Sequence, residues 1–147
     1  MSLDQERVTR LIGSLRSSVR LLSELSAIPE AEFIRDAHKL SSAKYNFIAA
    51  IEAIIDLGSH WVSRARLGLP KDYADVFEVL KQAGQLDTVL ADDLKRMARF
   101  RNRLVHLYWD VDPGELYSIL QRKLGDFDRF LACLASSPTA TENSDSE

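Results

Sequence analysis

Leu90-Ala91-Asp92-Asp93-Leu94-Lys95-Arg96-Met97-Ala98-Arg99-Phe100-Arg101-Asn102-Arg103-Leu104-Val105-His106-Leu107-Tyr108 is the stretch that decides how this chain is read. Within it Leu90, Leu94, Met97, Ala98, Leu104, Val105 and Tyr108 recur at spacings of three and four, the period of a helix that buries one stripe. Arg101 falls inside the same stripe, four residues after Met97 and three before Leu104. A guanidinium stays charged at any relevant pH, and burying a charge is costly unless it is paired. An arginine where a leucine would pack better points to a partner or to chemistry.

Outward from this helix the helical period holds almost everywhere, with sparse Gly and Pro and no β-branched alternation. A first helix is predicted from about Leu3 to Ser26, capped by Ser2, with Val8, Leu11, Ile12, Leu15, Val19, Leu22 and Leu25 as its stripe. Pro29 breaks it, and Glu30 to Ile34 reads as a short turn. A long second helix covers roughly Asp36 to Arg66 and is ended by Gly68-Leu69-Pro70. Between Phe47 and Leu57 it is apolar nearly all round, which marks it as central. A shorter helix spans about Tyr73 to Gln82, closed by Gly84. Asp87 then caps the motif helix, expected to run to about Tyr108. Asp112 and Pro113 open a last helix that carries Leu116 through Leu134. The fold class is all-α: an antiparallel helical bundle of four to five main helices. Residues 1–135 form the domain, and 136–147 read as a disordered acidic tail.

At 147 residues, 46% of them apolar, the chain has material for one real core. It has no apolar run of membrane-spanning length and no basic-then-apolar leader at Met1-Ser2-Leu3-Asp4-Gln5-Glu6. The single Cys133 forms no internal disulfide, so a reducing, cytoplasmic setting fits. Net charge is -3, and the last six residues carry three acids and no base, so residues 1–141 sum to zero. That argues against a globally basic nucleic-acid binder. The bases are uneven, however: Lys95, Arg96, Arg99, Arg101 and Arg103 crowd into nine residues ahead of His106. A solvated helix face accounts for Lys95, Arg96 and Arg99, but not for Arg101.

Asn102 and His106 are four apart and share a helix face. Arg101 points about 100° away from Asn102, but its long side chain can bring its fork beside the imidazole. Tyr108 is seven residues after Arg101, on the same side, at a fraying end that leaves its hydroxyl accessible. Together these groups suit phosphate chemistry. An arginine holds a phosphodiester bidentately and offsets charge developing in the transition state. A histidine takes or gives a proton near neutral pH. One histidine is marginal for both roles, so a two-fold homodimer that brings two copies into one cleft would help. On the central helix Glu52, Asp56 and His60 are spaced i, i+4, i+8 and line one face. That face suits a metal or a carboxylate partner for Arg101. No cluster elsewhere completes a ligand set, so pairing by Asp56 or Glu52 is preferred, and no metal or cofactor is expected. His38 and His60 read as surface or helix-end residues, and Trp61 and Trp109 as core or interface.

Arg101-Asn102, three residues, His106, one residue, Tyr108 resembles the Arg-x4-His-x-Tyr signature of HEPN proteins. It is most similar to the HepT branch, the toxins of HepT/MntA toxin-antitoxin pairs. Met97 to Tyr108 is close to that branch's wording throughout, and the apolar run Ala49 to Leu57 with Asp56, Pro70, the Asp72–Leu80 segment and the Val111-Asp112 break also fit. The resemblance covers about residues 3–135. It implies an all-α bundle that dimerises two-fold, with both motifs facing a shared cleft. It implies metal-independent RNA cleavage, in which the ribose 2′-hydroxyl attacks the adjacent phosphate. His106 would act as acid and base, Arg101 would stabilise the transition state and Asn102 would orient the site, with Asp56, Glu52 and Arg103 in support. It also implies an MntA-like nucleotidyltransferase antitoxin that transfers AMP to Tyr108, putting bulk and negative charge where an RNA phosphate enters.

Two other readings stand beside the toxin ribonuclease. The bundle serves as a non-cleaving, nucleotide-binding partner of a nucleotidyltransferase, since fold does not fix function. Or the chain is a helical dimer whose Arg101 forms a structural pair with Asp56.

Overall fold

The structure is a computed structural model that describes residues 3–137. Among them are seven α-helices, one 3₁₀ turn and no strand: α1 (Leu3–Ser26), α2 (Glu30–Ile34), α3 (Ala37–Ala65), α4 (Asp75–Gln82), α5 (Thr88–His106), the turn Tyr108–Asp110, α6 (Pro113–Arg122) and α7 (Gly125–Ala135). No described helix is long and apolar enough to cross a membrane. The expected cap Ser2 and residues 138–147 of the expected tail lie outside the described residues. Ser136 caps α7, and Ser137 is buried.

The all-α reading holds, and α3 is its axis, touching each of the other six helices. Its run from Phe47 to Val62 buries Phe47, Ile51, Ile54, Leu57 and Trp61, so packing on several sides follows from the apolar circumference. Asp36 caps α3 by accepting from the backbone N–H groups of His38 and Lys39 at 2.9 and 3.2 Å. The helix ends at Ala65, close to the expected Arg66. Arg66 takes left-handed angles (φ 56°, ψ 48°) and the Leu67 N–H returns to the Val62 carbonyl at 3.0 Å, closing it with a Schellman-type turn.

Three expectations are corrected. Glu30–Ile34 is a one-turn helix that delivers Phe33 to the core, its ring 5.4 Å from that of Tyr117. The last helix is two, α6 and α7, parted at Lys123–Leu124 beside Gly125, a weak helix former. The break lets Phe127 and Phe130 turn inward, where Phe130 meets Trp61 and Phe77 edge-on. The shorter helix begins at Asp75, because Lys71 to Ala74 form a turn tied by Asp72 Oδ1, which accepts from the Asp75 N–H, and by Asp75 Oδ2, which accepts from the Lys71 N–H. α4 then lies close against α3 over Gly58, where a Cβ would stand 2.7 Å from Val76 Cγ1. This close approach carries the Lys71–Ala74 turn to the edge of α5.

Candidate active site around Arg101

α5 starts where the sequence places it, with Asp87 Oδ1 accepting from the Leu90 N–H at 2.8 Å. Leu90, Leu94, Met97, Ala98 and Leu104 are buried as expected, joined by Ala91 and Phe100. Val105 and Tyr108 are not. α5 ends at His106, and Leu107 leaves helical angles (φ -135°, ψ 44°). Tyr108 therefore stands in the 3₁₀ turn rather than on the helix, 59% exposed, with its ring edge-on to Trp109 at 5.4 Å. Trp109 is 70% exposed and no part of the core, whereas Trp61 is fully buried.

Arg103 explains the early stop. Its Nη1 and Nη2 donate to the two carboxylate oxygens of Glu115 at 2.6 and 3.0 Å, and Nη2 also reaches the Asp110 carbonyl and Oδ2 at 3.3 Å each. One guanidinium thus folds the chain after α5 back toward the start of α6. The bidentate contact raises the Arg103 pKa and holds the Glu115 carboxyl below its ordinary range. Lys44 of α3 supports the same turn by donating to the Tyr108 carbonyl at 3.5 Å.

Arg101 is turned the other way. Its side chain is 15% exposed, and its Nε and Nη2 both donate to Glu52 Oε2, at 3.0 and 2.7 Å. The partner choice left open between Asp56 and Glu52 falls to Glu52. Nη1 donates to Asn102 Oδ1 at 3.1 Å. The fork is thus committed to Glu52 and Asn102 rather than to the imidazole, since a carboxylate is the stronger acceptor for a guanidinium. The Tyr73 ring lies under it, 5.3 Å from centroid to Cζ. A guanidinium has five N–H donors and three are engaged, which leaves one on each terminal nitrogen.

Asp56 lines the same cavity of about 210 Å³ with Glu52, Ile55, Tyr73 and Arg101. Burial pushes its carboxyl above the ordinary range, against the pull of Arg7 and with the push of Glu52. His60, the third residue on that face, is half-buried, and burial moves its imidazole downward. No group of three or more His, Cys, Asp or Glu among the described residues is placed to hold a metal. Asn102 and His106 are exposed, and the His106 side chain makes no hydrogen bond among the described residues.

Sequence reasoning missed Tyr73. It read as the start of a helix, and no spacing relates position 73 to position 101. Only the packing of α4 on α5 joins them.

A family model described as ribonuclease HepT-like matches residues 15–134. The mRNA nuclease HepT of Shewanella oneidensis is 31% identical over 101 residues, which cover 69% of this chain and 76% of that protein. The tRNA nuclease HepT of Aphanizomenon flos-aquae is 30% identical over 83 residues, 54% of each chain. Among solved structures, the tri-AMPylated Shewanella oneidensis HEPN toxin in complex with MNT antitoxin superposes with a TM-score of 0.83 at 24% identity, over 93% of this chain and all of that one. That likeness shows the shared fold. On the family match and the Shewanella relative, the chain belongs to the HepT-like ribonuclease family.

Proposed function

We propose that this protein is a metal-independent endoribonuclease of the toxin type, active as a two-fold homodimer on tRNA or mRNA. The observation that carries the reading is Arg101: a guanidinium fixed on three sides, with an N–H left on each terminal nitrogen, bonded to exposed Asn102 and followed on the same helix by exposed His106. A pre-fixed donor of this kind stabilises charge on a phosphorane without reorganising as it forms. In the proposed reaction the ribose 2′-oxygen attacks the adjacent phosphorus and loses its proton to His106. The bond to the 5′-oxygen breaks, and that oxygen gains a proton from the second copy's imidazole. The products are a 2′,3′-cyclic phosphate and a 5′-hydroxyl. The exposed apolar side chains of Val105, Leu107, Tyr108 and Trp109 support a subunit contact at this end of α5.

Control is proposed to come from a nucleotidyltransferase antitoxin. The Tyr108 hydroxyl attacks the α-phosphorus of ATP, pyrophosphate leaves, and AMP remains on the ring. Exposure of Tyr108 on a braced turn supports this role.

The test is cleavage of total tRNA by purified protein in EDTA, with intact mass first showing that Tyr108 carries no adenylate. Wild type should yield ends bearing 2′,3′-cyclic phosphate, and His106→Ala should lose about 10²–10⁴-fold in rate. Intact RNA from dimeric, unmodified wild type overturns the reading.

A further inference from the structure

Four of the five bases between Lys95 and Arg103 are held by carboxylates: Lys95 by Glu78 and Asp92, Arg96 by Asp93, Arg101 by Glu52, and Arg103 by Asp110 and Glu115. Arg99 is the exception. It is exposed and has no acidic or hydrogen-bonding partner among the described residues. By helical register Arg99, Asn102 and His106 fall within an arc of about 60°, spread over roughly 10 Å of the α5 axis. Arg99 and Asn102 also line one cleft of about 350 Å³, walled on its far side by the Lys71–Ala74 turn.

An exposed arginine left without a counter-charge, one turn from Asn102 and two from His106 on the same face, is an anion ligand in waiting. We infer that Arg99 holds a phosphate of the RNA strand next to the scissile one, in the cleft beside Asn102 and on the side of the site away from His106. The inference rests on the ribonuclease reading. The far wall of the cleft carries Asp72, Asp75 and Glu78 together with Lys71. Its three carboxylates outnumber its one ammonium, so the wall stays net acidic and keeps a polyanion on the α5 wall, against Arg99 and Asn102. Lys95 adds little, because Glu78 and Asp92 already hold its ammonium. Such a contact is made equally in the ground and transition states, so it acts on KM rather than on kcat.

The experiment is steady-state cleavage of a fluorescein-labelled single-stranded RNA oligonucleotide across a range of KCl concentrations. Arg99→Gln should raise KM about tenfold with kcat nearly unchanged, as loss of uniform binding requires. It should also flatten the slope of log(kcat/KM) against log[KCl] by about 0.7, the value for one phosphate contact on a single strand. Arg99→Lys should restore most of the KM, and Arg96→Gln, which removes an arginine already paired with Asp93, should change neither quantity. His106→Ala is run alongside. If it abolishes cleavage while Arg99→Gln leaves KM and the salt slope untouched, or lowers kcat instead, the phosphate subsite is overturned and the ribonuclease reading stands. If His106→Ala cleaves like wild type, the reading fails and the subsite falls with it.

Discussion

Arg101 and Arg103 stand two residues apart on one helix, and each is gripped by a carboxylate, yet the two grips differ in kind. Glu52 and Asn102 take three N–H groups of Arg101 and leave one on each terminal nitrogen. Glu115 takes both arms of Arg103, and Asp110 adds two further contacts. The first arrangement presents a charge, whereas the second consumes one to shape the chain. A charged side chain in a buried stripe therefore says little by itself: both guanidiniums keep two N–H groups, and what separates them is where these sit, one on each terminal nitrogen in Arg101 but on Nε and Nη1 in Arg103.

The sharpest break between the two is Arg101→Lys set against Arg103→Lys. An ammonium cannot make the paired contacts of a fork, so it settles on Glu52 and presents no aligned donors. Arg101→Lys should cut the RNA cleavage rate by about 10²–10³-fold, the scale of losing a transition-state donor. Arg103→Lys should cost less than about tenfold, because it alters only the support of a turn. Rates and melting temperatures measured on both variants check this, and equal losses would erase the distinction.

Gly58→Ala strikes the inner pocket alone. The new Cβ would stand 2.7 Å from Val76 Cγ1, so α4 must shift or Val76 must turn. Overpacking of this kind costs about 1–3 kcal/mol, read as a lowered urea midpoint. The turn that carries Tyr73 moves with α4, so cleavage should fall while the proposed AMP transfer to Tyr108, on the turn braced by Arg103, persists. Parallel loss of both activities would show that the two regions are not separate.

Glu115→Gln probes the outer clamp. Arg103 holds the Glu115 carboxyl below the usual carboxylate range. A depressed acid contributes stability above its unfolded pKa and loses it as pH falls through the folded value. Urea midpoints of wild type should therefore drop on acidification below the ordinary glutamate range, and the variant should lack that part of the drop. Both side chains are about one-third exposed, so solvent screening keeps the contribution within about 1 kcal/mol. AMP transfer should slow more than RNA cleavage does.

How much of this was legible follows from the range over which each cause acts. Helical period, the Asp87 and Asp112 caps, and the central place of α3 are local or compositional, and they read directly from the chain. The end of α5 did not, because Arg103 closes the turn on Glu115, twelve residues on, and Leu107 carries no breaker signal. That Arg101 needed a carboxylate was legible from its place in the stripe, but which one was not. Glu52 and Asp56 are one turn apart on α3, and only the relative rise of α3 and α5 selects between them. Tyr73 was invisible for the same reason, since its contact with Arg101 depends on where Gly58 lets α4 sit.

Asp56→Asn makes the smallest change and tests that selection. Asp56 shares the cavity with Arg101, yet burial, with the neighbouring Glu52, keeps its carboxyl raised. An acid whose folded pKa is raised favours the protonated folded state, so its share of stability is largest at acidic pH and declines as pH rises through the raised value. The asparagine variant should lose that decline, showing a flatter stability profile just above the ordinary aspartate range. RNA cleavage should stay within about twofold of wild type, because Glu52, and not Asp56, sets the direction of the Arg101 fork. If Asp56→Asn instead lowers the cleavage rate as far as Glu52→Gln does, the guanidinium is shared between the two carboxylates in solution. The inner grip would then resemble the outer one, a guanidinium divided between two acidic residues.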